Sequence, residues 1–169
     1  MKRVLDVACG GKMFYFDKAD SRVLFCDNRT LDTERCDGRK FSVHPDVECD
    51  FTSLPFGDGV FKLVVYDPPH LVKSTDKAKN EIELTGYQQI KYGALYSDWR
   101  DMLRRGFSEC FRVLEDGGVL IFKWSEIDIS VKTILELTPQ KPLFGNRCGK
   151  LSKTHWICFI KEDDKYDNA

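Results

Sequence analysis

Short apolar runs recur along the chain, and each ends in a polar, glycine or proline residue. Five of these runs predict β-strands, at residues 3–8, 22–27, 47–51, 61–67 and 118–123. They are nearly continuous in apolar residues, which is typical of parallel strands that are buried on both faces. Because polar crossovers separate them, the pattern favours an α/β fold: a doubly wound, mostly parallel sheet between two other layers, as a three-layer sandwich.

Helical spacing of apolar residues is clearest after Ser97, which is the predicted N-cap. The stripe runs over 99–114 and predicts one long helix, and a second helix is predicted over 128–137. The apolar segments 142–144 and 156–160 flank a polar stretch rich in glycine and lysine. They predict an antiparallel hairpin at the C-terminal end of the sheet.

Two connections between predicted strands and helices depart from the regular alternation of strand and crossover helix. Residues 28–45 are short and polar, so the usual crossover helix is expected to be absent or reduced to one turn. Residues 71–96 are long for a connection, which is typical of lids and binding loops. They carry interleaved cations and rings: Lys73, Lys77, Lys79, Tyr87, Lys91, Tyr92 and Tyr96. This combination suits a phosphate backbone and unstacked bases, so we predict a substrate lid; the alternative is a polar loop with tyrosines on the sheet rim.

Composition places the chain in one domain, predicted over 1–162, with a charged tail at 163–169. Seven cysteines without a C-x-x-C pair indicate reduced, buried thiols in a cytoplasmic protein. No apolar run reaches the roughly 18–20 residues of a membrane span, so no membrane partner is expected. Because the formal net charge is only −1, a nucleic-acid partner would have to be held by a local basic patch.

The histidines offer little to a metal ion. His44, His70 and His155 lie far apart in the sequence and have no close cysteine or histidine at zinc-binding spacing. We therefore predict no metal site.

Candidate binding residues follow four of the predicted strands at their carboxyl ends, where open parallel sheets bind ligands. They are Asp6, Ala8, Cys9 and Gly10; Asp27 and Asn28; Asp50 and Phe51; and Asp67, Pro68, Pro69 and His70. Glycine lets a ligand approach the backbone closely. Asp27 follows the glycines at close to the roughly 20-residue spacing of an acid that binds a ribose. Ordinary strand-end turns are the alternative explanation for the first three groups.

The fourth group carries the most chemical information. Pro68 and Pro69 fix two φ angles and leave two backbone nitrogens without a donor. The turn therefore presents mainly acceptors, namely the Asp67 carboxylate and the Pro68 carbonyl. Two acceptors can take both hydrogens of a planar aromatic amine and favour a more nucleophilic nitrogen, while His70 lies against the ring. A rigid strand-end turn with a surface histidine is the alternative.

A resemblance to a known family follows from these motifs. VLDVACGG, VLFCD, ECDF and VVYDPPH, in this order, resemble the class I S-adenosylmethionine-dependent methyltransferases, whose fold is Rossmann-like. The later run FRVLEDGGVLIFKW is similar to the family's fourth helix and fifth strand. DPPH resembles the Asp/Asn-Pro-Pro-aromatic signature of enzymes that methylate exocyclic amino groups of nucleic-acid bases. The resemblance implies S-adenosylmethionine as cofactor and DNA or RNA as substrate, with adenine favoured.

The same resemblance implies a role for each strand end. The methionine end of the cofactor would be lined by Asp6, Ala8, Cys9 and Gly10, and its ribose bound by Asp27 with Asn28 beside it. Asp50 and Phe51 would border the adenine. The target nitrogen would face the catalytic set Asp67, Pro68, Pro69 and His70.

Some residues depart from the family pattern. Lys12 stands where the family usually has its next glycine, residues 13–16 leave little room for a first helix, and the chain starts at its first strand. These departures favour a small enzyme, or one assisted by a partner protein or a second copy of itself. Two alternatives stay open: a methyltransferase that acts on a small molecule or protein, and a non-catalytic module that binds an adenosyl group.

Overall fold

The computed structural model describes residues 2–34, 38–72 and 90–162. The strands within these residues are β1 (Val4–Asp6), β2 (Val23–Asp27), β3 (Leu31–Glu34), β4 (Lys40–Val43), β5 (Val47–Glu48), β6 (Phe61–Tyr66), β7 (Leu114–Ser125), β8 (Phe144–Arg147) and β9 (Thr154–Ile160). The helices whose bounds lie within these residues are α1 (Trp99–Val113) and α2 (Val131–Leu135), and residues 90–92 are helical as well. The predicted tail at 163–169 and most of the predicted lid, residues 73–89, lie outside the described residues.

Seven of these strands form one sheet in the order β5-β2-β1-β6-β7-β9-β8. Strands β5, β2, β1, β6 and β7 are parallel, while β9 pairs antiparallel with both β7 and β8. The strand order reverses at β1, because β2 lies on one side of it and β6 on the other. The prediction of a doubly wound, mostly parallel sheet with a C-terminal antiparallel hairpin is confirmed.

The main core lies between the helices and one face of this sheet. Phe107 on α1 packs edge-on against Tyr66, with ring centroids 5.3 Å apart, and lies 4.8 Å from Phe122. Phe111, one turn further, packs against Phe159 at 5.8 Å. Burying such a side chain contributes about 1.5–3 kcal/mol, so this aromatic cluster anchors α1 across three strands. Helix α2 adds Ile134 to the same core.

The opposite face is covered by irregular chain after β1 rather than by a first helix, as the short segment 13–16 predicted. Tyr15 packs edge-on against Phe25 of β2, with ring centroids 4.8 Å apart. Phe14 meets Trp156 of β9 at 5.2 Å. These two rings hold the segment across the sheet, from β2 at one side to β9 at the other.

The connection over 28–45 contains the antiparallel hairpin β3–β4 in place of a crossover helix. The absence of that helix was predicted, but the hairpin was not. Phe41 and Val43 are its buried side chains, at 8% and 0% exposure. The hairpin therefore packs on the body of the protein through one short apolar edge.

Two predicted strands are each three residues shorter in the structure than in the sequence pattern, while those at 22–27 and 61–67 lose one residue each. The prediction over 3–8 shrinks to Val4–Asp6, although the Val7 amide still donates to the Val65 carbonyl at 3.1 Å. The prediction over 47–51 shrinks to Val47–Glu48. Asp50 ends that strand, because its carboxylate accepts the Thr52 amide at 2.8 Å and its carbonyl accepts the Ser53 amide at 3.0 Å.

Both helices start later than the sequence predicted. The N-cap of α1 is Asp98 rather than Ser97, because the Trp99 amide donates to the Tyr96 carbonyl and so places Ser97 inside a preceding turn. Helix α2 covers only part of 128–137, and its N-cap is Ser130, whose hydroxyl accepts the Thr133 amide. A helix long and apolar enough to cross a bilayer does not occur in the described parts of the chain.

The described cysteines are all free thiols. Four are buried, as predicted: Cys9, Cys26, Cys110 and Cys158. Cys148 is exposed, because it follows β8 in the turn of the C-terminal hairpin.

Candidate functional site

A cavity of about 410 Å³ opens at the carboxyl ends of β1, β2, β6 and β7, where the strand order reverses. The sequence-predicted residues that line it are Ala8, Cys9, Gly10, Asp27, Asn28, Asp50, Phe51, Asp67, Pro68, Pro69 and His70. The fold thus brings together eleven of the twelve residues predicted from the sequence. Asp6 is the exception.

Asp6 lies beneath the cavity and is completely buried, so it does not line the cavity with the other predicted residues. It sits on the last position of β1 and points into the layer below the loop. Its Oδ1 accepts the Ala8 amide at 3.1 Å, and the Tyr15 hydroxyl faces the same carboxyl group. Burial raises the pKa of Asp6 to about 7. Asp6 therefore supports the turn above it.

That turn is the glycine loop, residues 9–12. The Cys9 amide donates to the Cys26 carbonyl and the Lys12 amide donates to the Cys9 carbonyl, both at 2.8 Å. Gly10 has a φ of 48°, which glycine adopts without strain, and no atom lies within 4 Å of the position of a Cβ there. The loop therefore leaves open space above its backbone.

Asp27 joins this loop to the chain beyond β2. Its Oδ2 accepts the Gly10 amide at 2.9 Å, and its Oδ1 accepts Nε of Arg29 at 3.0 Å. Arg29 in turn donates to the Ile90 carbonyl at 2.8 Å. Arg29 was missed from the sequence, where the only available signal was a cation two residues after the strand-end acid.

Phe51 forms a buried wall of the cavity. It is 7% exposed and packs against Tyr66, with ring centroids 5.4 Å apart. Asp50 precedes it at the rim and has one oxygen engaged in its own turn. An aromatic wall with a carboxylate at its edge can hold a flat, polar-edged ring.

Asp67 extends from the end of β6 into the cavity and forms an ion pair with Lys123 of the neighbouring strand β7. Nζ of Lys123 lies 2.5 Å from Oδ2 of Asp67. Burial raises the pKa of Asp67, and the Lys123 ammonium opposes that rise. Lys123 is the last residue of the predicted strand 118–123, and the sequence pattern alone gives it no partner. Its pairing with Asp67 depends on β6 and β7 being neighbours.

His70 is an uncharged ring at neutral pH. Burial, together with the positive charge of Lys123, lowers its pKa to about 4. Its ring lies 5.7 Å from Tyr92 and 6.3 Å from Trp124. A neutral imidazole among aromatic rings offers a flat contact surface without a repelling charge.

Residues 90–96, the described end of the predicted lid, close one side of the cavity. Lys91, Tyr92 and Tyr96 line it, as do the small residues that follow Tyr92. Gly93 has a φ of 69°, and a Cβ there would lie 2.8 Å from Cγ of Pro69. Glycine thus lets this segment pack directly on the diproline turn.

The arrangement suits the binding of a neutral amine on a flat ring. Asp67 supplies an acceptor, His70 and Phe51 supply ring contacts, and the glycine loop leaves room for a second molecule. Covalent catalysis by Cys9 is disfavoured, because burial and the nearby Asp6 raise the pKa of its thiol. The described residues contain no group of three or more His, Cys, Asp or Glu side chains that could hold a metal ion.

No protein-family model matches the chain, and no curated protein matches its sequence. Solved structures do match its fold. The PH0226 protein from Pyrococcus horikoshii OT3 aligns with a TM-score of 0.57 and 14% identity, over 94% of this chain and 81% of that chain. The N-methyltransferase NodS from Bradyrhizobium japonicum WM9 aligns with a TM-score of 0.54 and 12% identity, over 95% and 85%.

A third match is the 1,6-didemethyltoxoflavin-N1-methyltransferase from Burkholderia thailandensis, solved with 1,6-didemethyltoxoflavin and S-adenosylhomocysteine bound. It aligns with a TM-score of 0.53 and 14% identity, over 95% of this chain and 71% of that chain. At these identities the likeness establishes a shared Rossmann-like α/β fold.

Proposed function

We propose that this protein is an S-adenosylmethionine-dependent methyltransferase that methylates an exocyclic amino group of a nucleic-acid base, with adenine favoured. One observation carries the proposal: the Asp67-Pro68-Pro69-His70 turn and the glycine loop open into the same cavity. Group transfer needs the acceptor and the donor side by side, and alignment of two bound reactants can supply about 7–11 kcal/mol of the barrier.

The cavity residues fit the proposed cofactor. A volume of about 410 Å³ lies within the range of roughly 300–1,000 Å³ for small-molecule and cofactor sites. Gly10 leaves space over its backbone, while Asp27 at the end of β2 lies next to that space. We infer that Ala8, Cys9 and Gly10 hold the methionine part, Asp27 and Asn28 the ribose, and Asp50 and Phe51 the adenine. Two of the fold neighbours are named as N-methyltransferases.

When bound, this cofactor supplies an electrophilic methyl group on a sulfonium. Asp67 orients the target amine, because its carboxylate and the Pro68 carbonyl accept the two N–H hydrogens. Asp67 then takes up the proton that the methylated nitrogen sheds. Lys123 holds the carboxylate by its Oδ2 and favours its charged, accepting form.

The ring that bears the amine would lie against the neutral imidazole of His70 and the nearby Tyr92. Contact between a base and an aromatic ring is worth about 1–3 kcal/mol for each base and requires no particular sequence. An unstacked base would therefore enter this cavity in the way that base-modifying enzymes extract their target.

Methyl transfer from labelled S-adenosylmethionine tests the proposal. The protein is incubated with separate pools of DNA, RNA and small metabolites, and the modified nucleoside is identified by mass spectrometry. Asp67→Ala is expected to abolish transfer and to leave the affinity for S-adenosylhomocysteine within a few-fold. Asp116→Asn is the control, because this exposed residue lies at the start of β7, away from the cavity. Full turnover by the Asp67→Ala variant would refute the role of Asp67.

A small-molecule amine is the second candidate substrate, favoured by the fold neighbour that was solved with 1,6-didemethyltoxoflavin. The same assay separates the two candidates. Label in the metabolite pool that oligonucleotides do not compete away would support the small molecule. Binding of S-adenosylhomocysteine without transfer to any pool would instead indicate a non-catalytic adenosyl-binding module.

A further inference from the structure

A second cleft, of about 260 Å³, lies behind the glycine loop. Its walls are the loop and the following segment on one side and strand β4 with His44 on the other. Gly10, Gly11 and Met13 line both this cleft and the main cavity. The glycine loop is therefore a wall that the main cavity and the cleft share.

The cleft concentrates positive charge in a chain whose net charge is −1. Within residues 2–34, 38–72 and 90–162, its lining includes no acidic residue and four basic ones: Lys12, Lys18, Lys40 and His44. We call it the basic cleft. Phosphate groups are the common biological ligands of clustered lysines, because each ammonium acts as a compact point charge with three donors.

Two of these lysines have no carboxylate within ion-pair distance among the described residues, namely Lys18 and Lys40. Glu34 stands opposite Lys40 in the hairpin register, but the two side chains form no ion pair within that part of the chain. His44 differs, since its ring lies 3.0 Å from the exposed Asp32 carboxylate. The charge of the cleft thus rests mainly on lysines that lack an internal partner within the described residues.

The walls of the basic cleft are held in place by packing. Gly11 lies so close to Phe41 that a Cβ would come within 2.7 Å of the ring. Lys12 has a φ of 52°, an uncommon conformation for a non-glycine residue, and its Nζ lies 4.1 Å from the centroid of the Phe25 ring. The cleft is therefore a shaped surface between two packed segments, rather than a set of scattered surface lysines.

We propose that the basic cleft binds a backbone phosphate of the nucleic-acid strand whose base enters the main cavity. This inference rests on the proposed function and adds to it the contact that holds the polymer. Phosphate contacts fix the register of a protein on a strand without reading its sequence. A local patch of this kind is what a protein with a net charge of −1 needs to bind a polyanion.

Salt-dependent binding of an oligonucleotide tests this inference. The probes are fluorescein-labelled single strands of about 20 nucleotides, one DNA and one RNA, titrated at about 50 to 300 mM KCl. In the double variant Lys18→Gln with Lys40→Gln, the magnitude of the slope of log K against log[KCl] is expected to fall by about 1.4, at about 0.7 for each lost contact. Binding at about 0.1 M KCl is expected to weaken by roughly 10- to 30-fold.

A matched control removes two positive charges elsewhere. Lys62 and Lys141 are exposed and lie near the starts of β6 and β8, at the opposite edge of the sheet from the cavity. The double variant Lys62→Gln with Lys141→Gln is expected to keep the wild-type slope and the wild-type methylation rate. Both double variants are expected to keep the wild-type affinity for S-adenosylhomocysteine, measured by calorimetry.

The results separate the possible failures. An unchanged slope in the Lys18/Lys40 variant, or an equal loss of slope in the Lys62/Lys141 variant, would overturn the role of the basic cleft. A third outcome would also overturn that role. In it, inorganic phosphate stabilises the wild type and the Lys62/Lys141 variant but not the Lys18/Lys40 variant, while all three proteins bind the oligonucleotide equally well. If the wild-type protein neither bound nor methylated any oligonucleotide, the proposed function would fail together with this inference.

Discussion

At the scale of single residues, the protonation of Asp67 links the structure to the proposed chemistry. Burial opposes its charge, and Lys123 supports that charge from 2.5 Å. Only the carboxylate can accept both an amine hydrogen and the released proton. The rate of methyl transfer is therefore expected to rise with pH through the raised pKa of Asp67 and to fall as pH drops below it.

Replacement of Lys123 tests this balance. Lys123→Met removes the positive charge and keeps most of the side-chain volume, so the pKa of Asp67 rises further. An opposite charge at this range shifts a carboxyl pKa by about 1–3 units, and the inflection of the pH–rate profile is expected to move upward by about that amount. At pH values below the wild-type inflection, where the rate follows the charged fraction of Asp67, the variant's rate should be lower by about tenfold for each unit of that shift.

The control for this prediction is Lys132→Met, which changes an exposed lysine on α2. The Lys132→Met protein is expected to have its pH–rate inflection at the same pH as the wild type. An inflection at the same pH in the Lys123→Met protein would show that Lys123 does not set the protonation of Asp67.

Asp6 makes a separate prediction, which concerns stability. Its pKa is about 7 in the folded protein and about 3.9 in an unfolded chain, so between these values the folded state holds a proton that the unfolded state has lost. The protonated Asp6 carboxyl therefore contributes its full stabilisation at pH values below its pKa in the unfolded chain. That stabilisation is lost as the pH rises through 7, its pKa in the folded protein. The free energy of unfolding of the wild type, minus that of Asp6→Asn, should fall by about 1.4 kcal/mol per pH unit between about pH 5 and 7.

Urea unfolding of both proteins at several pH values measures this difference. Comparison with Asp6→Asn cancels the other carboxylates, some of which have lowered pKa values, such as Glu109 beside Arg112. A difference that stayed constant with pH would mean that Asp6 is ionised in the folded protein.

At the scale of elements, helix α1 approaches the sheet most closely at Gly106. A Cβ at this position would lie 2.2 Å from the Tyr66 hydroxyl oxygen and 2.9 Å from Cδ2 of Phe51. Gly106→Ala therefore brings two opposing effects. Alanine favours a helix by about 1 kcal/mol over glycine, while overpacking a core costs typically about 1–3 kcal/mol.

We expect the packing cost to exceed the gain, because Tyr66 is completely buried and has no room to move. Gly106→Ala should lower the free energy of unfolding by about 1–2 kcal/mol and weaken binding of S-adenosylhomocysteine through the displaced Phe51 wall. Ser108→Ala, at an exposed position of the same helix, is the control and should change stability by only a few tenths of a kcal/mol. A Gly106→Ala protein more stable than the wild type would contradict the close packing of α1 on Tyr66.

Elements with a strong apolar signal could be predicted from the sequence, and elements that depend on distant contacts could not. The runs around Val64 and Leu120 predicted buried strands, because a short, nearly continuous apolar run is typical of a parallel strand that is buried on both faces. The hairpin β3–β4 was missed because its two strands offer only two buried side chains, and one of these packs against Gly11 of a distant segment.

The residues of the candidate site also fall into those that the apolar pattern predicts and those that depend on distant contacts. Eleven cavity residues were predicted because each follows an apolar run, and such runs end at the same edge of a parallel sheet. That Asp6 lies beneath the cavity could not be predicted, because the sequence does not say which side chains at the end of a strand face the cavity. Arg29 and the pairing of Lys123 with Asp67 depend on which segments become neighbours in space, which the sequence pattern leaves undetermined.

At the scale of the whole molecule, the proposed cofactor site joins segments that are distant in sequence. The Asp27 carboxylate holds the Gly10 amide and Arg29, and Arg29 holds the Ile90 carbonyl. These contacts connect the glycine loop, the chain after β2 and the segment that precedes α1. A ligand bound above them should therefore stabilise the fold as a whole.

Thermal unfolding with S-adenosylhomocysteine measures that coupling. At about 100 times its Kd, a ligand that binds only the folded state adds about 2.7 kcal/mol, which for a chain of 169 residues corresponds to a rise in Tm of about 5–10 °C. Asp27→Ala releases both the glycine loop and Arg29, so at the same ligand concentration its rise in Tm should be largely lost. Asp116→Asn makes the same charge change away from the cavity and should keep the full rise. A wild-type Tm that did not respond to the ligand would remove the cofactor from the proposal, and the methyl-transfer role with it.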